Sequence, residues 1–178
     1  MTDTSAGATT GVVLVLGGTA SGKSRHAVEL ASQRNAEDVI FVATARIGDP
    51  DLDRRIIRHR ADRPATWETC EAADDLAGAI ESAAPDRLVL VDSLALWVAS
   101  MLEAGEAIES AWAPVERAIR VRDSGVLLVS DEVGLSPVAL TELGRRFVDA
   151  LGWTNQRAAE IANEVRLVIA GLPVRLKP

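Results

Sequence analysis

Near its start the chain carries a glycine-rich segment whose residue types are suited to binding phosphate groups. Glycines let a backbone curve closely and direct N–H groups at phosphate oxygens, and a helix that follows adds the positive end of its dipole. We expect Lys23 to reach the β and γ phosphates of a nucleoside triphosphate and the Ser24 hydroxyl to bind Mg²⁺. The alternative is a glycine-rich turn between a strand and a helix that matches the phosphate-binding pattern only by chance. The segment satisfies the P-loop pattern G-x-x-x-x-G-K-[ST] and consists of Gly17, Gly18, Thr19, Ala20, Ser21, Gly22, Lys23 and Ser24.

An aspartate at the end of an apolar run supplies the second carboxylate that such a nucleotide site requires. Residues 88–91 have the length of a buried strand and are followed directly by Asp92. An apolar strand that ends in Asp is the Walker-B arrangement, in which the carboxylate holds the metal directly or through water. We therefore expect Asp92 and Ser24 to share the Mg²⁺. The alternative is that Asp92 and Ser93 only cap the helix that follows them.

The next apolar run, residues 126–129, also leads to acidic side chains. It continues through Ser130 to Asp131 and Glu132, and a turn follows at Gly134. Either carboxylate could orient a water molecule or accept the proton of an attacking hydroxyl. An acidic pair at a strand end can equally lie in a solvated loop, and the sequence leaves both interpretations open.

A charged segment over residues 48–64 contains His59, one of the two histidines of the chain. Its helical spacing continues up to Pro64, which cannot easily extend a helix. At about 100° per residue, Leu52, Ile56 and His59 fall within roughly 60° of one another, so His59 is expected on the face that packs toward the protein. Flanking arginines suit anionic oxygens, and a neutral imidazole could attack phosphorus to form a phosphoramidate. The alternative is a packed histidine in a basic surface helix.

The other histidine, His26, is close to the P-loop in sequence. It follows Ser24 within the first turn of the helix predicted over residues 24–35. Although this position is near the expected phosphates, we interpret His26 as a solvent-facing helix residue.

Five apolar runs of strand length must position these side chains. The runs are continuous rather than alternating, which indicates strands buried on both faces, as in a parallel sheet covered by helices. Segments with helical spacing lie between them, for example 24–35 and 73–83. This alternation predicts an α/β fold, a P-loop NTPase-like three-layer sandwich with a mostly parallel central sheet. The runs are residues 12–16, 39–43, 88–91, 126–129 and 167–170.

Three longer segments interrupt the simple alternation of strands and helices. They are the charged residues 48–64, an acidic stretch over 101–112 that we predict to be helical, and residues 134–157 between two strands. Long connections at the carboxyl ends of parallel strands are where ligands bind. We predict one nucleotide-binding catalytic domain over residues 11–178, preceded by a disordered segment over residues 1–10.

Composition excludes several classes of protein. The 178 residues are 48% hydrophobic and 25% charged, which is typical of a globular domain. A net charge of −7 argues against a general nucleic-acid partner, which would require a broad basic face. The single cysteine, Cys70, can form neither an intrachain disulfide nor a zinc site with a second cysteine. No apolar run approaches the roughly 20 residues that span a bilayer, so we expect no stable membrane insertion and a cytoplasmic location.

Seven ordered blocks of the sequence resemble one enzyme family, the bifunctional adenosylcobinamide kinase/adenosylcobinamide-phosphate guanylyltransferases of cobalamin synthesis. The resemblance extends from about Val12 to Lys177. Three departures stand out: Arg58 replaces a second histidine found in some members, Thr19-Ala20 stands where Ala-Arg is usual, and Asp131 stands where Asn can occur. The blocks are GGTASGKSRHA at 17–27, FVATAR at 41–46, RIIRHRADRP at 55–64 with Trp67 and Glu71 after it, LVLVDSLALWV at 88–98, VLLVSDEVG at 126–134, NQRAA at 155–159 and EVRLVIAGLPVRLK at 164–177.

The resemblance also implies roles for individual residues. The guanylylated histidine of the family falls on His59, and its P-loop falls on residues 17–24. Thr19-Ala20 removes a loop arginine that could have contacted phosphate. The guanine-nucleotide contacts that the resemblance implies outside the P-loop fall on Ala43, Thr44, Ala45, Arg60, Ala61, Asp62, Arg63, Glu71 and Asp92.

Two reactions on one scaffold follow from this resemblance. The kinase would phosphorylate the aminopropanol hydroxyl of adenosylcobinamide with ATP or GTP, using Lys23, the loop amides and Mg²⁺. The guanylyltransferase would pass GMP from GTP through His59 to adenosylcobinamide phosphate. The family implies a homo-oligomer, expected to be a trimer, which the stretch 101–112 could serve. Two alternatives stay open on the residues alone: a P-loop kinase of another small molecule, and a nucleotide-dependent switch.

Overall fold

The computed structural model of the chain describes residues 11–34, 38–45 and 63–178. The predicted disordered start, most of the charged segment, His59, Arg60, Ala61 and Asp62 lie outside these residues. In chain order the described elements are β1 Val12–Gly17, α1 Lys23–Arg34, β2 Val39–Ala43, β3 Glu68–Glu71, α2 Leu76–Ser82, β4 Leu88–Asp92, α3 Leu94–Glu103, α4 Ile108–Arg120, β5 Val126–Asp131, α5 Glu142–Ile161, β6 Glu164–Ile169 and β7 Leu172–Lys177.

The described strands form a single sheet in the order β3-β2-β4-β5-β1-β6-β7. All neighbouring strands are parallel except β6 and β7, which are antiparallel. The predicted mostly parallel sheet is therefore confirmed. Because parallel strands all run the same way, the carboxyl ends of β1, β2, β3, β4 and β5 meet at one edge of the sheet, directly before their connecting segments.

Helices cover both faces of the sheet, which gives the three layers that the sequence predicts. Alternate strand residues enter opposite cores, so that Leu14 and Leu16 face one side while Val13 and Val15 face the other. The first side is covered by α2, α3, α4 and α5. Among the described helices, α1 alone contributes to the second core, through Ala27, Leu30 and Ala31.

Two strands at the edges of the sheet were not predicted. β3 is mostly exposed and has no continuous apolar run. β7 is also exposed, and it returns from β6 through a two-residue turn in which Ala170 has φ 51° and Gly171 has φ 80°. Positive φ at both residues is typical of a type I′ hairpin, but Ala-Gly is a weaker sequence signal for that turn than Asn-Gly. The predicted strand 167–170 is instead Glu164–Ile169.

The prediction of one acidic helix over residues 101–112 is wrong. α3 ends at Glu103 and α4 begins at Ile108, and Gly105 between them has φ 76°. The N–H of Glu106 donates to the carbonyl of Met101 at 2.9 Å, which closes the end of α3. A glycine with positive φ can end a helix at little cost, so the stretch is divided between the end of α3, a turn that contains Glu106, and the start of α4.

Candidate functional site

The phosphate-binding segment connects β1 to α1 as a tight loop. The N–H of Ser21 donates to the carbonyl of Gly18 at 3.2 Å, and the N–H of His26 donates to the carbonyl of Gly22 at 2.9 Å, which starts the helix. A β-carbon at Gly17 would lie 2.8 Å from the carbonyl oxygen of Val168, closer than real contacts allow. The first glycine of the pattern is therefore required by packing against β6.

The turn between β6 and β7 supports the same loop from the side. The N–H of Gly171 donates to the carbonyl of Ser21 at 2.8 Å. Gly22, with φ 93°, packs against Gly171, because a β-carbon on Gly22 would approach the Gly171 α-carbon to 3.4 Å. The unpredicted hairpin thus has a role at the site, since it fixes the backbone of the P-loop.

Lys23 pairs with an acidic residue at the end of β5. Its Nζ lies 2.5 Å from Asp131 Oδ1 and donates a hydrogen bond to the Gly18 carbonyl at 3.3 Å. The two side chains are only 12% and 26% exposed. Gly17 and Asp131 are in register on neighbouring strands, so Asp131 lies level with the start of the loop. Of the two interpretations of Asp131, the structure favours a place in the site over a solvated loop.

Asp92, the predicted Walker-B residue, lies farther from the P-loop strand. β5 separates β4 from β1 in the sheet. Asp92 pairs with Val129 of β5, two residues before Asp131. It is half-buried at the carboxyl edge of the sheet, in register with Ala43 of β2. The sequence pattern identified a strand end at the correct edge, but it could not show which strand lies beside the P-loop.

Thr44 ties the end of β2 to the end of β4. Its hydroxyl donates to the carbonyl of Ser93 at 2.7 Å and accepts from the N–H of Ser93 at 2.8 Å. The side chain is fully buried, and its backbone N–H also donates to the carbonyl of Asp92 at 3.4 Å. The structure therefore uses the hydroxyl of this predicted nucleotide contact to hold the backbone that follows Asp92.

Four other predicted contacts lie near the end of β2. The guanidinium carbon of Arg63 is 3.1 Å from the centroid of the Phe41 ring, in a cation–π contact. Phe41 is buried in the core that α1 covers. Glu71 ends β3 in register with Ala43 and is exposed, and Ala45 is half-buried just beyond β2. Ala43, Glu71 and Asp92 are thus neighbours along one edge of the sheet, with Arg63 on the α1 face.

The interpretation of His26 as solvent-facing is wrong. Its side chain is 13% exposed, and Nε2 lies 3.1 Å from Nη1 of Arg166 on β6. Arg166 in turn donates to Glu164 at 2.5 Å. Burial lowers the pKa of His26, and the positive charge of Arg166 lowers it further. The first turn of α1 packs against β6, which lies beside β1 in the sheet, and this burial could not be inferred from the position of His26 in a helix.

An open apolar pocket of about 480 Å³ adjoins this end of the sheet. Asn155 of α5 lines it, and the Asn155 side-chain amide donates to the carbonyl of Asp131 at 3.0 Å. Reasoning from residue chemistry did not identify Asn155, although it begins one of the blocks that carry the family resemblance. The pocket is lined by Leu16, Glu132, Val133, Gly134, Val148, Gly152, Asn155, Gln156, Ala159, Val165, Leu176 and Lys177.

The oxygen donors at this edge are suited to Mg²⁺. The Ser24 hydroxyl and the Asp92 and Asp131 carboxylates are hard ligands, which is the donor type that Mg²⁺ prefers. Within residues 11–34, 38–45 and 63–178, no three His, Cys, Asp or Glu side chains converge on a common point. Mg²⁺ is usually held by one or two carboxylates together with substrate phosphates, so these donors fit a metal that arrives with a nucleotide. Over the same residues, no helix is long and apolar enough to cross a membrane.

Comparisons with a family model and with known relatives indicate the same protein family. The family described as cobinamide kinase / cobinamide phosphate guanyltransferase matches residues 13–176. The bifunctional adenosylcobalamin biosynthesis protein CobP of Pseudomonas aeruginosa is 41% identical over 167 residues, which cover 92% of this chain and 96% of the relative. The bifunctional adenosylcobalamin biosynthesis protein CobU of Salmonella typhimurium is 37% identical, and the protein of the same name from Escherichia coli is 34% identical; both alignments cover 93% of this chain and 99% of the relative.

Solved structures of more distant proteins share the fold. The flagellar accessory protein FlaH of Methanocaldococcus jannaschii has a TM-score of 0.55 at 14% identity, over 94% of this chain and 78% of FlaH. The assembled ATPase EscN of enteropathogenic E. coli has a TM-score of 0.54 at 13% identity, over 89% of this chain and 42% of the matched chain. At these identities the likeness concerns the fold, and it supports the P-loop NTPase-like architecture.

Proposed function

The chain belongs to the cobinamide kinase / cobinamide phosphate guanyltransferase family, and we propose that one nucleotide site at the carboxyl ends of β1, β4 and β5 serves both of its reactions. The chain is a bifunctional enzyme of cobalamin synthesis. It phosphorylates adenosylcobinamide and then transfers a guanylyl group to adenosylcobinamide phosphate. Family membership selects this function over the P-loop kinase of another substrate and over the nucleotide switch.

In the kinase reaction the protein mainly positions phosphates and neutralises their charge. The aminopropanol oxygen attacks the γ phosphorus, an O–P bond forms, and the bond to the β-phosphate oxygen breaks as the nucleoside diphosphate leaves. Lys23 and the N–H groups of the loop stabilise the negative charge on the transferring group. The hydroxyl proton goes to a carboxylate, for which Asp131 and Glu132 are the candidates at this strand end.

We assign Mg²⁺ to Ser24 and Asp92, together with the phosphates of the substrate. When bound, the cation neutralises the charge that develops on the leaving phosphate oxygens. The hydroxyl of Ser24, next to Lys23, and the carboxylate of Asp92 supply the oxygen donors. Thr44 supports this arrangement because its buried hydroxyl fixes the backbone at Ser93. The choice between ATP and GTP in the kinase reaction stays open in this proposal.

In the second reaction we propose His59 as the nucleophile. Its ring nitrogen attacks the α phosphorus of GTP, an N–P bond forms, and pyrophosphate leaves. A phosphate oxygen of adenosylcobinamide phosphate then attacks the same phosphorus, the N–P bond breaks, and adenosylcobinamide-GDP is released. Predicted contacts from Arg60, Ala61, Asp62 and Arg63 would hold the nucleotide, and the family blocks that contain these residues support the assignment.

The corrinoid acceptor is large, so we expect it to lie across an exposed cleft rather than inside a small pocket. We also propose that the chain forms a homo-oligomer, as a trimer. Leu172, Val174 and Leu176 of β7 are 70%, 48% and 57% exposed, which leaves apolar surface that a second copy could bury. Size-exclusion chromatography with light scattering measures this directly, and a monomer at micromolar concentration contradicts it.

The observation that carries the proposal is the P-loop itself, folded between β1 and α1 with Lys23 directed along the loop to the Gly18 carbonyl. The decisive experiment is incubation of the protein with GTP labelled at the α phosphorus. We expect acid-labile, base-stable label on the wild type and no label on His59→Ala, because a phosphoramidate has this stability and His59 is its carrier.

His26→Ala is the matched control, since the chain has only two histidines. This variant should still acquire the label. Absence of label on the wild type contradicts guanylyl transfer through the protein. Label that persists in His59→Ala but disappears in His26→Ala would assign the nucleophile to His26 instead.

A further inference from the structure

The P-loop lysine has an acidic partner that neither the P-loop pattern nor the Walker-B pattern requires. Lys23 Nζ lies 2.5 Å from Asp131 Oδ1, and both side chains are largely shielded from solvent. Asp131 is in register with Gly17, so its side chain begins level with the first residue of the phosphate-binding loop. The ammonium group that should bind the β and γ phosphates is therefore already engaged by a carboxylate at the same end of the sheet.

The two partners of this ion pair are held differently. Asp131 is the last residue of β5, and Asn155 of α5 donates to its carbonyl at 3.0 Å. The N–H of Glu132, the next residue, donates to the carbonyl of Gly17 at 3.0 Å, which fixes the strand end against β1. The Lys23 ammonium, in contrast, is carried by four flexible methylene groups. Incoming phosphates can therefore attract the lysine away while the carboxylate stays in place.

We propose that Asp131 is a positioning residue that acts through Lys23. It holds the ammonium group of Lys23 beside the loop. When a nucleotide binds, Lys23 leaves the carboxylate and pairs with the triphosphate. This inference rests on the proposed nucleotide site. It adds a carboxylate that competes with the triphosphate of the substrate for the ammonium group of Lys23. After the exchange, the carboxylate lies close to an anionic triphosphate. Like charges at such distances repel unless a cation screens them, so Asp131 makes tight nucleotide binding depend on Mg²⁺.

Calorimetric titration with GTP, once with excess Mg²⁺ and once with EDTA, tests the exchange. Asp131→Asn keeps the shape of the side chain and removes its charge. We expect this variant to bind metal-free GTP about tenfold more tightly than the wild type, because Lys23 is released and the repulsion is removed. With Mg²⁺ the gain should be clearly smaller, since the cation already screens the carboxylate. Asp131→Glu, which keeps the charge, should retain the wild-type dependence on Mg²⁺.

Asp149→Asn is the matched control, because it makes the same chemical change at an exposed position of α5. It should leave both dissociation constants unchanged. Thermal unfolding establishes that each variant is folded, and Asp131→Ser, which also removes the charge, replaces Asp131→Asn if that variant does not fold.

Two results would count against different parts of this account. Unchanged or weaker binding of metal-free GTP by the charge-removing variant overturns the role of Asp131. A wild-type protein that binds no GTP even with Mg²⁺ contradicts the nucleotide site itself, so the two failures are distinguishable.

Discussion

β4 and β5 end alike in sequence but differently in space. Each is a run of buried residues, apolar except for Ser130 in β5, that ends in an aspartate: Asp92 in β4 and Asp131 in β5. The carboxylate of Asp131 pairs with Lys23, whereas Asp92 lies one strand farther from β1 and two residues back in register. Strand order, rather than the local pattern, therefore decides which aspartate can engage the P-loop lysine.

We infer that the two strand ends have different roles. Asp131 holds the ammonium group of Lys23 at the phosphate-binding loop, and Asp92 contributes to the proposed metal site. If this comparison is correct, substitutions that remove the charge at the two positions should have different effects on nucleotide binding and on the dependence on Mg²⁺. Removing Asp131 should favour metal-free nucleotide, and removing Asp92 should impair the use of Mg²⁺.

The largest effect that separates the two strand ends is expected from Asp92→Asn. Loss of a carboxylate that supports a metal site typically lowers metal affinity or activity by about 10–100-fold. We expect the kinase kcat/KM at limiting Mg²⁺ to fall by that factor and to recover partly as Mg²⁺ is raised. The measurement is a Mg²⁺ titration of the initial rate of adenosylcobinamide phosphorylation.

Nucleotide affinity without metal provides the contrast for this variant. Asp92→Asn should bind GTP in EDTA as the wild type does, and Asp149→Asn should match the wild type in both assays. If Asp92→Asn instead tightens metal-free binding and leaves the Mg²⁺ titration unchanged, the roles of the two aspartates are reversed.

A smaller effect is expected from the buried hydroxyl that holds the β4 end. Thr44→Val keeps the shape of the side chain but leaves the buried N–H of Ser93 without its partner, whereas the Ser93 carbonyl still accepts from the N–H of Trp97. An unsatisfied buried polar group costs about 1–3 kcal/mol, so the free energy of unfolding should fall by about that amount. Urea denaturation monitored by circular dichroism measures it.

Thr154→Val is the matched control for this substitution. Thr154 is also fully buried, but its hydroxyl donates to the carbonyl of Ala150 within the same helix, at 2.8 Å. Its loss removes only an additional bond within α5, so it should cost less than Thr44→Val. If Thr154→Val lowers the free energy of unfolding as much as Thr44→Val or more, the hydrogen bonds between Thr44 and Ser93 contribute no more than a hydrogen bond within a helix.

The smallest effect is expected on the other side of β1, where His26 meets Arg166 of β6. Burial, and then the charge of Arg166, lower the pKa of His26 in the folded protein. The unfolded chain therefore takes up the proton first, and the contribution of His26 to stability, present at neutral pH, is lost as pH falls through about 6.5. His26→Gln should reduce this loss, as measured by urea denaturation between about pH 7.5 and 5.5. Identical pH slopes for wild type and variant would contradict the burial of His26.

Continuous apolar runs predict the interior strands well, because strands buried on both faces must be apolar throughout. β1, β2, β4 and β5 agree with the predicted runs to within two residues. β3 and β7 could not be found in this way, because edge strands are exposed and gain their hydrogen bonds from only one neighbour. The hairpin of β6 and β7 nevertheless supports the P-loop through Gly171, so a missed element contributes to the site.

In the candidate site, too, residues that are contiguous in sequence could be predicted, whereas contacts between distant residues could not. The P-loop follows from its own sequence, because its glycines and Lys23 are contiguous and adjoin a strand and a helix. The function of Thr44 could not be inferred, because its partner Ser93 is 49 residues away. His26 shows the same limit, since its partner Arg166 lies on a strand 140 residues later.

The sequence by itself determined the P-loop, the parallel sheet and the family to which the chain belongs, since these depend on contiguous residues or on periodic burial. Only the tertiary structure decided which carboxylate meets Lys23. The pairing of β5 with β1 brings Asp131 close to Lys23, which is 108 positions earlier in the chain. No local sequence pattern specifies the order of strands in a sheet. The physical reason is that secondary structure depends on neighbours in sequence, whereas the charge around the phosphate-binding loop depends on neighbours in space.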